Sequence, residues 1–304
     1  MKDDRHHLTI QPQGPFRLAA SLGFLGGFTP AGVTVPADGV LRIAFVVDGT
    51  DLVAAVDVRQ AEADGSVAIG MTTEASPAAV GRQVGRLLSL DEDGDGFTAI
   101  GARDQVIGQL QADNPGFRPT GFWSPFEAAV WALVSHRIQR GQAANVKAAI
   151  ADRFGTTIRH DGHDLVAFPA PAVLAGVDLS VIAGLGGRKP EWLRGLALAA
   201  MDGVLDADRL RSRPAHEALA SLQRLAGVGP FSAELILVRG AMTVDVAPAH
   251  EGRFRQAVSA LYGLPEPVDD ATIARITDGW APYRTWASVL VRSAAETPGR
   301  PGRR

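Results

Sequence analysis

The sequence predicts an α+β protein: an N-terminal antiparallel β-sheet domain with helices, followed by an all-α domain. Three observations predict it. Two β-rich runs, 40–47 and 52–58, flank the turn Asp48-Gly49-Thr50-Asp51, the pattern of a β-hairpin. The segment Asp113-Asn114-Pro115-Gly116-Phe117-Arg118-Pro119 is rich in turn formers and reads as a boundary. Beyond it, helical spacing and helix caps take over. Length agrees, since 304 residues correspond to about two domains at ~150 residues each. We expect a β-rich domain at residues 1–112 and a helical domain at 113–304.

In chain order, Asp64-Gly65 marks a second turn before the short strand Val67-Ala68-Ile69. From Pro77 to Leu90, Val80, Val84, Leu87 and Leu88 share one helical face. Ser124-Pro125-Phe126-Glu127 combines an N-cap serine, a proline at the first helical position and an early glutamate. That helix runs through Val130, Trp131 and Val134 to about residue 140. Further helical stretches cover about 142–154, 171–177, 189–201, 216–224, 231–239, 251–262, 270–276 and 282–296. The tail at 298–304 is short, basic and expected to fray.

Composition excludes several classes of function. Hydrophobic residues make up 46% and charged residues 21%, which rules out wholesale disorder. The balance of 30 basic against 33 acidic residues, net −3, shows no global basic excess for nucleic acid. Cysteine is absent, which excludes disulfides, thiolate zinc sites, cysteine nucleophiles and cysteine-ligated iron–sulfur clusters. No cofactor is expected. No run of ~18 apolar residues occurs, so no membrane span is expected. The N-terminus lacks an apolar signal core, and the expectation is a cytoplasmic monomer. Asp91-Glu92-Asp93-Gly94-Asp95-Gly96 matches the front half of a calcium loop, but Ala99 and Ala102 occupy later ligand positions. A solvated acidic turn is the simpler reading, and weak calcium binding by an interaction module is the other.

The most informative stretch is Leu225-Ala226-Gly227-Val228-Gly229-Pro230-Phe231-Ser232-Ala233-Glu234-Leu235. A Gly-x-Gly turn opening a helix lets backbone N–H groups approach an anion. Many helix pairs use such turns for packing alone. Around it lie, in order, Gly116-Phe117-Arg118-Pro119, Phe126-Glu127-Ala128-Ala129-Val130, Phe168-Pro169-Ala170-Pro171, Gly184-Leu185-Gly186 with Lys189, and Leu193-Arg194-Gly195-Leu196-Ala197. Val238-Arg239-Gly240, Asp245-Val246-Ala247-Pro248 and Trp280-Ala281-Pro282-Tyr283-Arg284-Thr285-Trp286-Ala287 follow the hairpin. In this order and spacing the region from Gly116 to the last helix resembles the helix-hairpin-helix DNA glycosylase superfamily, in the branch of bacterial DNA-3-methyladenine glycosylase II. The β-rich first part also looks like that branch's N-terminal domain.

The resemblance implies a double-stranded DNA partner carrying a modified base. The hairpin would bind the duplex, and the damaged nucleotide would flip into a pocket, since its glycosidic carbon is unreachable inside the stack. Gly227, Val228, Gly229 and Ser232 would meet phosphate, with Arg253 and Arg255 adding local positive charge. Lyase relatives carry a lysine just after the second hairpin glycine. Here Phe231 and Ser232 follow, which implies a monofunctional, hydrolytic glycosylase. The branch's Asp-x-x-Pro-x-x-Asp pattern reads Asp245-Val246-Ala247-Pro248-Ala249-His250-Glu251. Glu251 therefore stands in the place of the catalytic aspartate, one methylene longer, and a ~1 Å misplacement costs ~100-fold in rate. Asp245 is the rival carboxylate, and His250 a candidate acid or base. Phe231, Leu235, His136, Arg137, Arg292 and Trp286 are the candidate base-pocket residues. Arg292 replaces a stacking tryptophan, so a bulkier polar base is an alternative to an alkylated purine. A DNA-binding protein that senses modified DNA without catalysis is the alternative to an enzyme.

Overall fold

The structure, a computed structural model, describes residues 5–28, 37–62 and 65–296. Asp64 of the expected second turn and the basic tail at 298–304 lie outside the described residues. The first part contains β1 (Arg5–Ile10), α1 (Leu18–Gly27), β2 (Leu41–Val46), β3 (Val53–Gln60), β4 (Val67–Thr73), α2 (Pro77–Leu87), α3 (Gly94–Arg103) and α4 (Gln105–Asp113). Then come α5 (Pro125–Val134), α6 (Arg140–Phe154), β5 (Thr156–His160), β6 (His163–Ala167), α7 (Pro171–Gly176), α8 (Lys189–Met201), α9 (Ala207–Arg211) and α10 (Ala215–Leu222). The chain ends with α11 (Pro230–Leu235), α12 (Gly252–Tyr262), α13 (Asp270–Asp278) and α14 (Arg284–Glu296).

The four N-terminal strands form an antiparallel sheet in the order β1-β4-β3-β2. The Asp48-Gly49 hairpin forms where the sequence places it, with Val46 opposite Val53 and Gly49 at φ 72°. Strand β1 has little apolar signature because it is an edge strand, exposed or half-buried along its length. The second part departs from the all-α expectation. It carries the β5–β6 hairpin, whose His160 is buried and spans two strands of the sheet. His160 Nε2 lies 2.8 Å from Asp57 Oδ1, and its Nδ1 lies 2.8 Å from Thr72 Oγ1.

Among the described residues three large apolar clusters organise the interior, with a small fourth of Ala44, Ala55 and Ala167. One lies under the sheet and includes Leu22, Phe45, Val56, Met71 and Val84. A second surrounds α5, every residue of which is buried, and includes Trp131, Val146, Leu193 and Ile236. The third joins Phe97, Ile100, Ile107 and Leu110 of α3 and α4 to Phe254, Trp280, Trp286 and Leu290 of the C-terminal helices. This cluster crosses the break that composition places at 112/113. The turn-rich segment there is no exposed linker. Arg118 is fully buried, donating to the carbonyls of Pro15, Ser89, Glu92, Gln13 and Gly14. Burial pushes its proton affinity down, and the carbonyl ring around it supplies the compensation a buried cation needs.

The acidic loop spends its carboxylates on the protein. Arg211 Nη1 binds Asp91 at 2.6 Å, and its Nη2 binds Glu92. Asp93 caps α3 by accepting the Asp95 N–H at 2.8 Å. Among the described residues no group of three His, Cys, Asp or Glu side chains could hold a metal ion, and no helix is long and apolar enough to cross a membrane.

Candidate active site

A cavity of ≈ 560 Å³ opens between α1, α5, α11, α12 and α14. One wall follows from simple helical periodicity. Residues 230–240 run on from α11 into a π-helical turn, Ile236–Gly240, and Phe231, Glu234, Leu235 and Val238 recur at the spacing that aligns one face. Opposite, α14 presents Ser288, Val289, Arg292 and Ser293. Phe24 and Phe28 reach in from α1 and its end, with Trp131, Ser135, Ile138 and Arg140 from α5 and the turn after it. Pro248, Glu251 and Arg253 complete the lining. The Arg239 guanidinium lies 4.9 and 4.3 Å from the Phe24 and Phe28 ring centres and donates to the Thr120 carbonyl.

Glu251 is the N-cap residue of α12 and lines the cavity, where Arg292 Nε donates to its Oε1 at 2.7 Å. Both side chains are largely buried, at 24% and 16% exposed. The loop that delivers Glu251 is strapped at both ends. At its start, Thr285 Oγ1 accepts the Val246 N–H and donates to the Val246 carbonyl. At its end, Glu234 accepts the His250 N–H at 2.9 Å and the His250 Nδ1–H at 2.6 Å.

The cavity thus brings together Glu251, Phe231, Leu235, Arg292 and Arg253 of the expected site. Other candidates go elsewhere. Asp245 accepts from Arg284 N at 3.1 Å and Arg284 Nη1 at 2.7 Å, so it caps α14 rather than facing the cavity. Trp286 is 2% exposed, packed against Phe97 and Tyr283, with Arg118 over its ring. Its place in helix α14 points it into the third apolar cluster and away from the cavity. Arg255 is committed to Asp270, Ala249 and Val268, tying α12 to α13. His136 packs edge-on against Trp192 and lies 3.4 Å from Ser232 Oγ. Burial, then Lys189 and Arg137, hold its proton affinity down. Arg137 is exposed, at φ 56°, and the residues that this turn sends into the cavity are its neighbours Ser135, Ile138 and Arg140. His250 is 61% exposed and stands outside the lining.

The hairpin between α10 and α11 has the expected turn. Gly227 at φ 82° packs so closely that a Cβ there would sit 2.8 Å from Trp192 and 2.9 Å from Leu133. Val228 and Ser232 are buried, so Val228 offers the outside only its backbone. Gly229, the N-cap of α11, has open space where a Cβ would be.

Sequence reasoning missed Phe24, Phe28, Trp131, Glu234 and Arg239. Glu234 left a trace, as the only acid in the apolar run 230–238. The phenylalanines of α1 left none, because nothing local says which helix closes a distant cavity.

No protein-family model matches the chain. A DNA-3-methyladenine glycosylase of Bacillus subtilis is 22% identical over 207 residues, 66% of this chain and 66% of the relative, just under two thirds of its length. DNA-3-methyladenine glycosylase 1 of Schizosaccharomyces pombe is 27% identical over 167 residues, 54% of this chain and 69% of the relative. Among solved structures, a 3-methyladenine DNA-glycosylase from Archaeoglobus fulgidus superposes with a TM-score of 0.76 at 23% identity, covering 94% of this chain and 96% of that one. The likeness to the solved structure is one of fold over nearly the whole molecule. The two relatives and the solved structure to which this chain is similar are all DNA-3-methyladenine glycosylases by name.

Proposed function

We propose that this protein is a DNA N-glycosylase of the DNA-3-methyladenine glycosylase II branch, hydrolytic and without lyase chemistry. It binds duplex DNA through the hairpin at Gly227–Gly229, flips a modified base into the cavity and cleaves its glycosidic bond. The observation that carries this reading is Glu251, held in the cavity wall by Arg292 at 2.7 Å, in the chain position where the family has its catalytic aspartate.

In the proposed reaction, the electron pair of the C1′–N bond leaves with the base, and positive charge develops on the sugar. The Glu251 carboxylate stabilises that charge. A water oxygen then bonds to C1′ and its proton passes to the departed base or, where a cationic alkylated purine has left as the neutral base, to solvent, giving an abasic site and the free base. The strapped loop fixes the backbone on which Glu251 stands, and Arg292 fixes its carboxylate. Phe231 occupies the place of the lyase lysine, which supports hydrolysis.

Phe24, Phe28, Trp131 and Phe231 supply aromatic surface for a flipped base. His136 and Arg137 stay out of the cavity, so the case for a bulkier polar base rests on Arg292 and Arg239. The test is to incubate the protein with duplexes carrying alkylated purines, deaminated bases and bulky modified bases. Alkali-labile abasic sites from one class, lost in Glu251→Gln, are the expected result. Intact DNA affinity with no product from any duplex would leave a DNA-binding protein without catalysis.

A further inference from the structure

His250 precedes the proposed catalytic carboxylate, yet its side chain is 61% exposed and lies outside the cavity lining. Its ring is nevertheless fixed. Glu234, only 5% exposed, takes the His250 backbone N–H on Oε2 at 2.9 Å and meets Nδ1 with Oε1 at 2.6 Å. A carboxylate accepts hydrogen bonds only, so Nδ1 carries a proton. The ring then turns its other nitrogen, Nε2, outward, where it has no hydrogen-bond partner among the described residues. A buried carboxylate spent on orienting a surface imidazole points to a ligand that comes from outside the fold.

The charges around the ring say which ligand. Glu251, the next residue, is paired with Arg292. Arg253, on the first turn of α12, is exposed at the cavity rim. Arg255 reaches the Ala249 carbonyl from the inner side and pairs with Asp270. The outer face at His250 is therefore a local positive margin backed by one buried anion, Glu234. The ring is held between that carboxylate on one side and whatever anion approaches Nε2 on the other. This is the geometry of charge-assisted binding to an oxyanion.

We propose that Glu234 and His250 form a carboxylate–imidazole relay in which His250 Nε2 binds a backbone phosphate of the DNA beside the flipped nucleotide, with Glu234 as its positioning residue. This rests on the DNA reading above and moves His250 from acid–base chemistry to gripping the strand. The relay works without any covalent step.

The test uses the full chain and a synthetic duplex carrying a tetrahydrofuran abasic analogue, so that affinity is read apart from base chemistry. His250→Gln should weaken binding about five- to tenfold and reduce the slope of log K against log salt by about 0.9, the value for one phosphate. On a cleavable duplex the loss should fall on KM rather than kcat. Glu234→Gln still accepts the His250 N–H but turns a donor toward Nδ1. It should therefore lose part of the affinity, and with it part of the salt slope. Wild-type affinity and salt slope in His250→Gln would overturn the proposal, as would a loss confined to kcat. Failure of wild type to bind the duplex at all would instead sink the DNA reading, and shows before any substitution is made.

Discussion

Asp245 and Glu251 stand six residues apart in one loop, and each is paired at 2.7 Å with an arginine of α14. By chemistry and distance the two pairs are nearly the same. Their surroundings separate them. Asp245 also caps the backbone of Arg284, and Arg284 reaches on to Asp278, so all of these groups are spent on holding the start of α14. Glu251 and Arg292, two turns further along the same helix, line the cavity. An ion pair becomes a candidate catalytic group through the space beside it, not through the identity of its partner. The hairpin glycines divide in the same way. Gly227 is filled by Trp192 and Leu133, and Gly229 is open.

The largest effect should come from Glu251→Gln, which removes the charge and keeps the size. Excision measured under single turnover should fall by about 10²–10³-fold with the melting temperature little changed. Asp245→Asn should do the reverse, and equal loss of activity in both variants would erase the distinction between the pairs. Next in size is Gly227→Ala, where a left-handed backbone and two close side chains should cost about 2–4 kcal/mol in denaturant unfolding. Gly229→Asp should fold normally but lose at least about tenfold in DNA affinity, since it sets a like charge against phosphate. Normal binding would show that the hairpin does not meet DNA. Asp245→Asn should cost about 1–2 kcal/mol of stability through the weakened α14 cap.

The smallest effect concerns His136. Its proton affinity is lowered in the fold, so the unfolded chain takes up the proton first as pH falls. Stability should be full above pH ~6.5 and decline below it, through the interval down to the folded value. Because the ring is only partly buried, His136→Gln should flatten that decline by about a few tenths of a kcal/mol. A steeper decline in the variant would contradict the neutral imidazole inferred for the native fold.

Much of the fold could be read locally. The Asp48-Gly49 hairpin, α2 and the Ser124-Pro125 start of α5 are written in turn residues, apolar spacing and caps. Edge strand β1 and the β5–β6 hairpin were not, because their strands are short and carry few inward apolar residues. Of the site, the hairpin helix and the loop ending in Glu251 were legible, because motif spacing tracks a helix face and an N-cap. Trp286 and Arg292 show the limit. Both lie on α14, yet one is buried among aromatics and the other faces the cavity. Six residues along a helix change direction completely, and only the neighbouring helices decide which direction is inside.

By itself, then, the sequence determined the class of fold, the glycine hairpin and the loop that ends in Glu251, since these depend on residue identity and short-range spacing. The tertiary structure alone decided that α1 closes the cavity with Phe24 and Phe28, that Arg118 threads the expected boundary into the core, and that Glu234 orients His250. Those contacts join residues far apart in the chain or on separate helices. Their free energy comes from shared burial and hydrogen bonding, which no local pattern encodes.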